Sequence, residues 1–189
     1  YAFGISIGDN LQKDSIELDP VMLGKALYDL KNEEALMTAE EANQAIQSFF
    51  QEKEKAKHQV AIDEGEKFLS ENAQKEGVQK TETGLQYKVI KQGTGAQPTA
   101  ENQVTVHYEG RLIDGTVFDS SYERGEPATF GLNQVIPGWT EALQLMKEGG
   151  VWEIYLPHDL AYGPRKAGQI PPYSTLIFKV ELISVGEKE

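Results

Sequence analysis

The chain has 189 residues, 39% of them hydrophobic, and a formal net charge of −12 at pH 7, which together predict a globular protein of one large or two small domains. The negative charge disfavours nucleic acid and anionic lipid as partners, because phosphate groups would be repelled and no cluster of Lys or Arg offsets the charge. The sequence has no run of about 18 apolar residues, so no membrane span is expected, and the absence of Cys excludes disulfides and thiolate chemistry.

Residues 1–37 are predicted to form an N-terminal, all-α dimerisation module. Asp19 followed by Pro20 is typical of an N-cap with proline in the first turn, and predicts a helix to about Leu30. The segment is too small to enclose a core of its own. We therefore expect a homodimer through residues 1–50, in which a second copy completes a shared core with two-fold symmetry. Apolar residues are also frequent at the start of the chain: Tyr1, Phe3, Ile5, Ile7 and Leu11.

Residues 38–77 are predicted to form one long connecting helix. Thr38 and Glu41 have the spacing of a capping box, and no proline interrupts the chain before Pro98. Residues 51–59 are polar on nearly every side, which is typical of a helix that bridges domains through solvent. A disordered charged linker is the alternative, although alternating charge signs and strong helix formers favour the helix.

Residues 78–189 are predicted to form an α+β domain. This region contains both Trp residues and seven of the eight prolines. Strands that surround one short helix predict a curved antiparallel sheet wrapped around that helix. Alternation of apolar and polar residues predicts strands at 85–91, 103–112, 128–131, 151–156 and 175–185, and a helix at 139–146.

Five motifs follow one another in this region: VTVHYEG (104–110), VFDSS (117–121), VIPGW (135–139), AYG (161–163) and LIF (176–178). Together they resemble the FKBP-type peptidyl-prolyl cis–trans isomerases over about residues 78 to 189. Several motifs that agree in order make the resemblance specific, whereas each alone would be weak. The opening YAFGISIG and the helix after Asp19 are similar to the macrophage infectivity potentiator subgroup, in which N-terminal helical modules interlock and a long helix carries each catalytic domain.

The resemblance implies an FKBP-like pocket for a proline residue. It implies Trp139 beneath the proline ring, and the N–H of Ile136 and the hydroxyl of Tyr162 as donors to substrate carbonyls. It also implies that Asp119 lies at the rim and pairs with Arg124, or that Arg124 pairs with Tyr108. The implied catalytic residues are Tyr108, Phe118, Asp119 and Tyr162, and the implied substrate-binding residues are Arg124, Val135, Ile136, Trp139, Ile170 and Phe178.

Taken one at a time, these residues have ordinary explanations. Trp139, Phe178 and Val135 are each more typical of a plain core, and Asp119 could simply start a turn. Only their joint occurrence favours the pocket. Ala128 stands where many relatives carry a phenylalanine that lines the pocket, so we expect a wider wall and weaker binding of macrolide inhibitors of the rapamycin and tacrolimus class.

The resemblance implies an enzyme that accelerates X-Pro isomerisation in unfolded or partly folded polypeptides, with dimer-dependent chaperone activity. The alternative is a peptide-binding chaperone or surface adhesion module in which catalysis is incidental. No cofactor is expected, and no metal site is expected because His58, His107 and His158 lie far apart in the sequence. The resemblance, with a start at Tyr1 instead of Met, favours the periplasm or cell surface, with the cytoplasm as the alternative.

Overall fold

The computed structural model describes residues 1–13 and 16–188. The chain divides into two compact units, Tyr1–Glu52 and Lys53–Glu189. Within the described residues, every helix is too short or too polar to cross a membrane.

The first unit contains helices α1 (Ala2–Lys13), α2 (Pro20–Lys31) and most of α3 (Ala39–Lys57). Both predicted helix starts are confirmed. The Asp19 carboxylate accepts a hydrogen bond of 2.8 Å from the Val21 N–H at the start of α2. At the start of α3, the Glu41 carboxylate accepts from the Thr38 N–H (2.7 Å) and the Thr38 hydroxyl accepts from the Glu41 N–H (3.2 Å).

The first unit leaves its large apolar side chains exposed. Among its described residues only Asp29 is buried, where it forms an ion pair with Lys25. Apolar surface on this scale is unusual for a protein that stays monomeric. The exposed apolar side chains are Tyr1, Phe3, Ile5, Ile7, Leu18, Val21, Met22, Leu27, Tyr28, Leu30, Leu36, Met37, Ile46, Phe49 and Phe50.

The second unit is a seven-stranded antiparallel sheet with the strand order β1-β2-β6-β7-β3-β4, and β5 pairs with β3. The strands are β1 (Val78–Lys80), β2 (Gln86–Lys91), β3 (Asn102–Leu112), β4 (Val117–Ser120), β5 (Ala128–Gly131), β6 (Val151–Leu156) and β7 (Leu176–Lys188). The helices are α4 (Gln59–Asn72), α5 (Ser121–Arg124) and α6 (Pro137–Leu145), and His158–Leu160 forms a 3-10 turn.

The hydrophobic core lies between the concave face of the sheet and α6. Burial alternates along β3, so that Val104, Val106 and Tyr108 point into the core. They pack in one cluster with Trp139 and Leu143 of α6. The predicted α+β fold class, with a sheet wrapped around a short helix, is confirmed, and so are the five predicted strands. The sequence missed β1, β4 and α5, which are too short to show a periodic pattern.

The prediction of one continuous helix over residues 38–77 is wrong. Helix α3 ends at Lys57, a turn follows at His58, and α4 begins at Gln59. The His58 ring packs on Tyr173 with ring centroids 5.6 Å apart. This contact is made with a residue far away in the sequence, so the pattern within residues 38–77 contains no sign of it.

Helix α4 packs on the sheet as part of the second unit. A Cβ atom at Gly65 would lie only 2.4 Å from the Thr175 hydroxyl oxygen, so the helix backbone approaches the residue just before β7 closely. At the end of α4, the buried Asn72 amide donates to the Gln86 side-chain oxygen (3.0 Å), and the Gln86 amide donates to the Leu69 carbonyl (2.8 Å). These buried polar contacts fix α4 to β2.

Replacing Gly65 with Ala tests this packing, because the sign of the effect depends on it. In a solvated helix, Gly→Ala stabilises by about 0.5–1 kcal/mol. Against Thr175 the new Cβ overlaps a buried side chain, and overpacking of this kind costs about 1–3 kcal/mol. We expect Gly65→Ala to lower the midpoint of thermal unfolding.

The matched control is the same substitution in a Thr175→Ala background, where the overlapping hydroxyl is gone and the loss should be smaller. A midpoint that rises in Gly65→Ala alone would show that α4 is not packed against Thr175.

Candidate active site

A cavity of about 610 Å³ opens on the concave side of the sheet, next to the first turn of α6. Nine of the ten site residues predicted from the sequence line this cavity. Arg124 is the exception, because it contacts two lining residues from outside. The lining residues are Tyr108, Phe118, Asp119, Phe130, Gln134, Val135, Ile136, Trp139, Tyr162, Ala167, Gly168, Gln169, Ile170 and Phe178.

Trp139 forms the floor of the cavity and is only 4% exposed. It lies in the first turn of α6, where Ile136 is the N-cap and Pro137 supplies a preset φ. Gly138 lets this turn approach β6, because a Cβ atom there would lie 2.5 Å from the Leu156 side chain. The start of the helix is therefore held against the sheet, and the Trp139 ring with it.

Three aromatic rings stand almost perpendicular to the indole plane. Their centroids lie 5.1 Å (Tyr108), 5.8 Å (Phe130) and 5.3 Å (Phe178) from that of Trp139, with interplanar angles of 88°, 89° and 84°. Such edge-to-face contacts contribute about 0.5–1.5 kcal/mol each beyond the burial of area. The floor is therefore rigid and apolar.

One wall depends on a glycine. Phe118 and Phe178 meet edge to face with centroids 5.6 Å apart. Gly110 of β3 pairs with Phe178 of β7, and a Cβ atom at this glycine would lie 2.6 Å from both rings. The absence of a side chain on β3 at this point makes room for the aromatic pair.

A hydrogen-bonded network of three polar residues occupies the rim. The Tyr108 hydroxyl and the Arg124 guanidinium both donate to the Asp119 carboxylate. Arg124 also donates to the Tyr108 hydroxyl at 3.0 Å. The one-turn helix α5 places Arg124 there, and Ser121 of that helix fixes it to β3 by accepting from the Tyr108 N–H at 2.7 Å.

The network keeps its groups in defined charge states. Burial, and then the hydrogen bond to Asp119, raise the pKa of Tyr108 above its ordinary value, while Arg124 opposes the shift. Hydrogen bonds to Tyr108 and Asp119 raise the pKa of Arg124. Tyr108 is therefore a neutral donor at physiological pH, and Arg124 is a permanent cation next to Asp119.

The segment after Tyr162 forms the remaining wall. Ala167 and Ile170 exchange two backbone hydrogen bonds, of 3.1 and 2.9 Å, and the Tyr173 N–H donates to the Gly163 carbonyl at 2.7 Å. Ile170 is buried in this loop. The loop is closed by its own hydrogen bonds, so its lining residues are held in place.

Phe130 lines the cavity although the sequence analysis does not predict it, whereas Ala128, which the resemblance indicates as part of the pocket wall, does not line it. Ala128 packs against the core, and Phe130 lies two residues further along β5. The period of two along a strand puts both residues on one face and could have revealed Phe130. Gln134 and the stretch 167–169 carry no pattern that would have pointed to the cavity.

Within residues 1–13 and 16–188 there is no group of three His, Asp or Glu side chains close enough together to hold a metal ion.

Comparison with known proteins gives concordant matches over the whole chain. Residues 94–183 match the family described as FKBP-type peptidyl-prolyl cis-trans isomerase, and residues 1–89 match the domain amino terminal to it. The probable FKBP-type peptidyl-prolyl cis-trans isomerase FkpA of Neisseria meningitidis serogroup B is 48% identical over 100% of this chain and 74% of its own length. The outer membrane protein MIP of Legionella longbeachae is 46% identical over 98% of this chain and 83% of its own length. The crystal structure of FkpA from Escherichia coli is similar, with a TM-score of 0.69 and 36% identity, covering 98% of this chain and 94% of that one.

The rim network predicts opposite changes in the pKa of Tyr108 for two substitutions. Asp119→Asn removes the carboxylate that raises this pKa, so the value should fall towards that of an ordinary tyrosine. Arg124→Ala removes the cation that lowers it, so the value should rise further. An NMR titration of ¹³C-labelled tyrosine measures both changes, with Tyr108→Phe identifying the signal.

The raised pKa of Tyr108 in the unmodified chain also makes the stability of the fold depend on pH. Because the pKa of Tyr108 is higher in the folded than in the unfolded state, its contribution is fully present below about pH 10 and is lost as the pH rises through the folded-state value. For the titration, a change of the Tyr108 pKa in the same direction in Asp119→Asn and in Arg124→Ala would contradict the network.

Proposed function

The chain belongs to the FKBP-type peptidyl-prolyl cis-trans isomerases, and we propose that the cavity over Trp139 is where it binds a proline residue and catalyses rotation about the preceding peptide bond. The observation that carries this proposal is the composition of the cavity. Aromatic and aliphatic side chains form its floor and walls, and Asp119 is the one carboxylate among the described residues that line it. A small apolar ring fits this floor, and the polar groups stand at the opening.

The chemistry needs an apolar site more than it needs a reactive group. The amide bond has partial double-bond character, which gives a rotation barrier of about 18–20 kcal/mol. At the twisted transition state this conjugation is broken and less charge lies on the carbonyl oxygen, so a dry apolar cavity favours the twisted state over the planar one. A reduction of about 5 kcal/mol would accelerate rotation by nearly four decades.

Each predicted residue has a role in this scheme. The Trp139 ring lies beneath the proline ring, and Phe118 and Phe178 exclude water from one side. Ile136 is the N-cap of α6, so its N–H stands outside the helical hydrogen bonds, which supports its proposed role as a donor to a substrate carbonyl. The Tyr162 hydroxyl donates to a second carbonyl. We place Val135 and Ile170 in the wall.

The Asp119 carboxylate at the rim acts on the substrate amide through its negative charge. Asp119 is held by Tyr108 and Arg124, so its oxygens are oriented before substrate arrives. A negative charge next to the substrate carbonyl disfavours the planar amide, in which that oxygen carries more negative charge. Arg124 acts as a positioning residue, because it lies outside the cavity lining.

Dimerisation through residues 1–50 is the second part of the proposal. It is supported by the exposed apolar side chains of the first unit and by an apolar hollow of about 400 Å³ between α2 and the start of α3. A second copy of the same segment is self-complementary and can cover both. Two catalytic cavities on one dimer would hold an unfolded chain at two points and give chaperone activity.

The division of labour that we propose follows the chain. Residues 1–37 dimerise, residues 38–77 connect, and residues 78–189 carry the isomerase cavity, with α4 of the connecting segment packed on the isomerase sheet. Substrates are proline-containing unfolded or partly folded polypeptides, and macrolides of the rapamycin and tacrolimus class would compete for the cavity. Similarity to a relative named an outer membrane protein supports the periplasm or cell surface, with the cytoplasm as the alternative.

Three substitutions test the cavity. Phe118→Ala, Asp119→Leu and Tyr162→Phe should each lower kcat/KM for a short X-Pro peptide by roughly tenfold or more, which corresponds to about 1.4 kcal/mol of transition-state stabilisation. A protease-coupled assay measures the rate, and circular dichroism checks that each variant is folded.

Tyr122→Phe is the matched control for Tyr162→Phe. Tyr122 stacks on His107 and does not line the cavity, so loss of its hydroxyl should leave the rate unchanged. Normal activity in all three folded cavity variants would refute the assignment.

A charge placed on the exposed apolar surface of the first unit tests the dimer. Leu27 is 60% exposed in the first unit and Ile90 is 55% exposed in the second. Leu27→Glu should convert a dimer to a monomer in sedimentation experiments, whereas Ile90→Glu should not. Refolding of a proline-limited protein should then slow per active site, because linkage of two sites can raise apparent affinity by roughly 10²–10⁴.

Activity of Leu27→Glu on a short peptide should equal that of the unmodified chain, since every cavity residue lies in the second unit. A monomeric unmodified chain, or equal refolding activity per site in both variants, would refute this part.

A further inference from the structure

A second hollow, of about 370 Å³, adjoins the cavity over Trp139. Five residues line both: Gln134, Val135, Ile136, Tyr162 and Ala167. They include the two groups proposed to bind substrate carbonyls, the Ile136 N–H and the Tyr162 hydroxyl. An extended peptide advances about 3.3–3.6 Å per residue. A residue close to the bound proline in sequence therefore reaches the second hollow.

Two cations distinguish the second hollow from the first. Arg165 and Lys166 line it and are both exposed. Of the three Arg residues in the chain, Arg111 pairs with Glu153 and Arg124 pairs with Asp119. Within the described residues, the side chains of Arg165 and Lys166 make no ion pair or hydrogen bond, and no carboxylate is among the residues that line this hollow.

The two cations are neighbours in the sequence of a chain whose net charge is −12, and both line the same hollow. An Arg guanidinium presents parallel N–H donors that match a carboxylate. Two adjacent cations without a partner therefore leave a site for an acidic group that comes from outside the chain.

We propose that the second hollow is a specificity subsite for an acidic side chain, Asp or Glu, close to the proline of the substrate, with Arg165 and Lys166 as its ligands. The proposal rests on the function proposed above, because the peptide must be bound over Trp139 for its neighbouring residue to reach Arg165. The subsite acts on substrate choice and leaves the isomerisation chemistry to the first cavity.

The size of the preference follows from the exposure of both cations. Solvent-exposed ion pairs are weak and are screened by salt. Two such pairs correspond to roughly a fivefold higher kcat/KM for an acidic peptide than for its neutral analogue. The preference should shrink in about 1 M salt, where charges are screened within about 3 Å.

The test uses the full-length chain and two pairs of short X-Pro peptides. In one pair Glu or Gln stands two residues before the proline, and in the other two residues after it. The measured quantity is the ratio of kcat/KM for the Glu peptide to that for the Gln peptide. A ratio of about five is expected in one pair. It should fall to about one in Arg165→Ala/Lys166→Ala and fall below one in Arg165→Glu/Lys166→Glu.

Lys67→Ala/Lys91→Ala is the matched control, because it removes the same charge from two exposed positions that do not line either hollow. Its ratio should equal that of the unmodified chain. A ratio near one for the unmodified chain in both peptide pairs, or a ratio that survives Arg165→Glu/Lys166→Glu, would overturn the subsite. Failure of the proposed isomerase function would give a different result, since neither the Glu nor the Gln peptides would then isomerise faster than without enzyme.

Discussion

The perpendicular packing of three aromatic rings on Trp139 is the interaction on which the rest of the second unit depends. Tyr108, Phe130 and Phe178 come from β3, β5 and β7, so one indole ring is held by three different strands. The contacts fix α6 against the concave face of the sheet. The same four rings line the cavity. The contacts that stabilise the second unit therefore also form the apolar part of the cavity.

The lining residues could be predicted from the sequence because most of them lie in motifs that resemble, in the same order, those of the FKBP-type isomerases. The periods of the strands and of α6 predict the fold but would not have indicated the cavity. Trp139, Phe178 and Tyr108 each lie in one of these motifs. Strand pairing, such as that of Gly110 with Phe178, then brings residues of different motifs close together. Phe130 could not be predicted in this way, because it lies outside the five motifs that carry the resemblance. The packing of α4 could not be predicted, since it depends on a contact between Gly65 and Thr175, which are more than a hundred residues apart in the sequence.

The two units differ in how far they bury their apolar side chains. The second unit buries them around α6, whereas the first leaves Phe3, Leu27 and Phe49 among those exposed to solvent. A helical segment of this kind gains stability only when another surface covers it. Every residue that lines the proposed catalytic cavity lies in the second unit, so under the proposed function the tasks of accelerating rotation and holding an unfolded chain should be separable by substitution.

In the proposed function, an apolar cavity with a fixed rim charge accelerates rotation without transferring a proton. The solvent deuterium isotope effect on kcat/KM for a short X-Pro peptide tests it most directly. Rotation of an amide breaks no bond to hydrogen, so the ratio of rates in H₂O and D₂O should be about one across neutral pH. A ratio of about two or more would show that a proton moves in the rate-limiting step and would contradict the account.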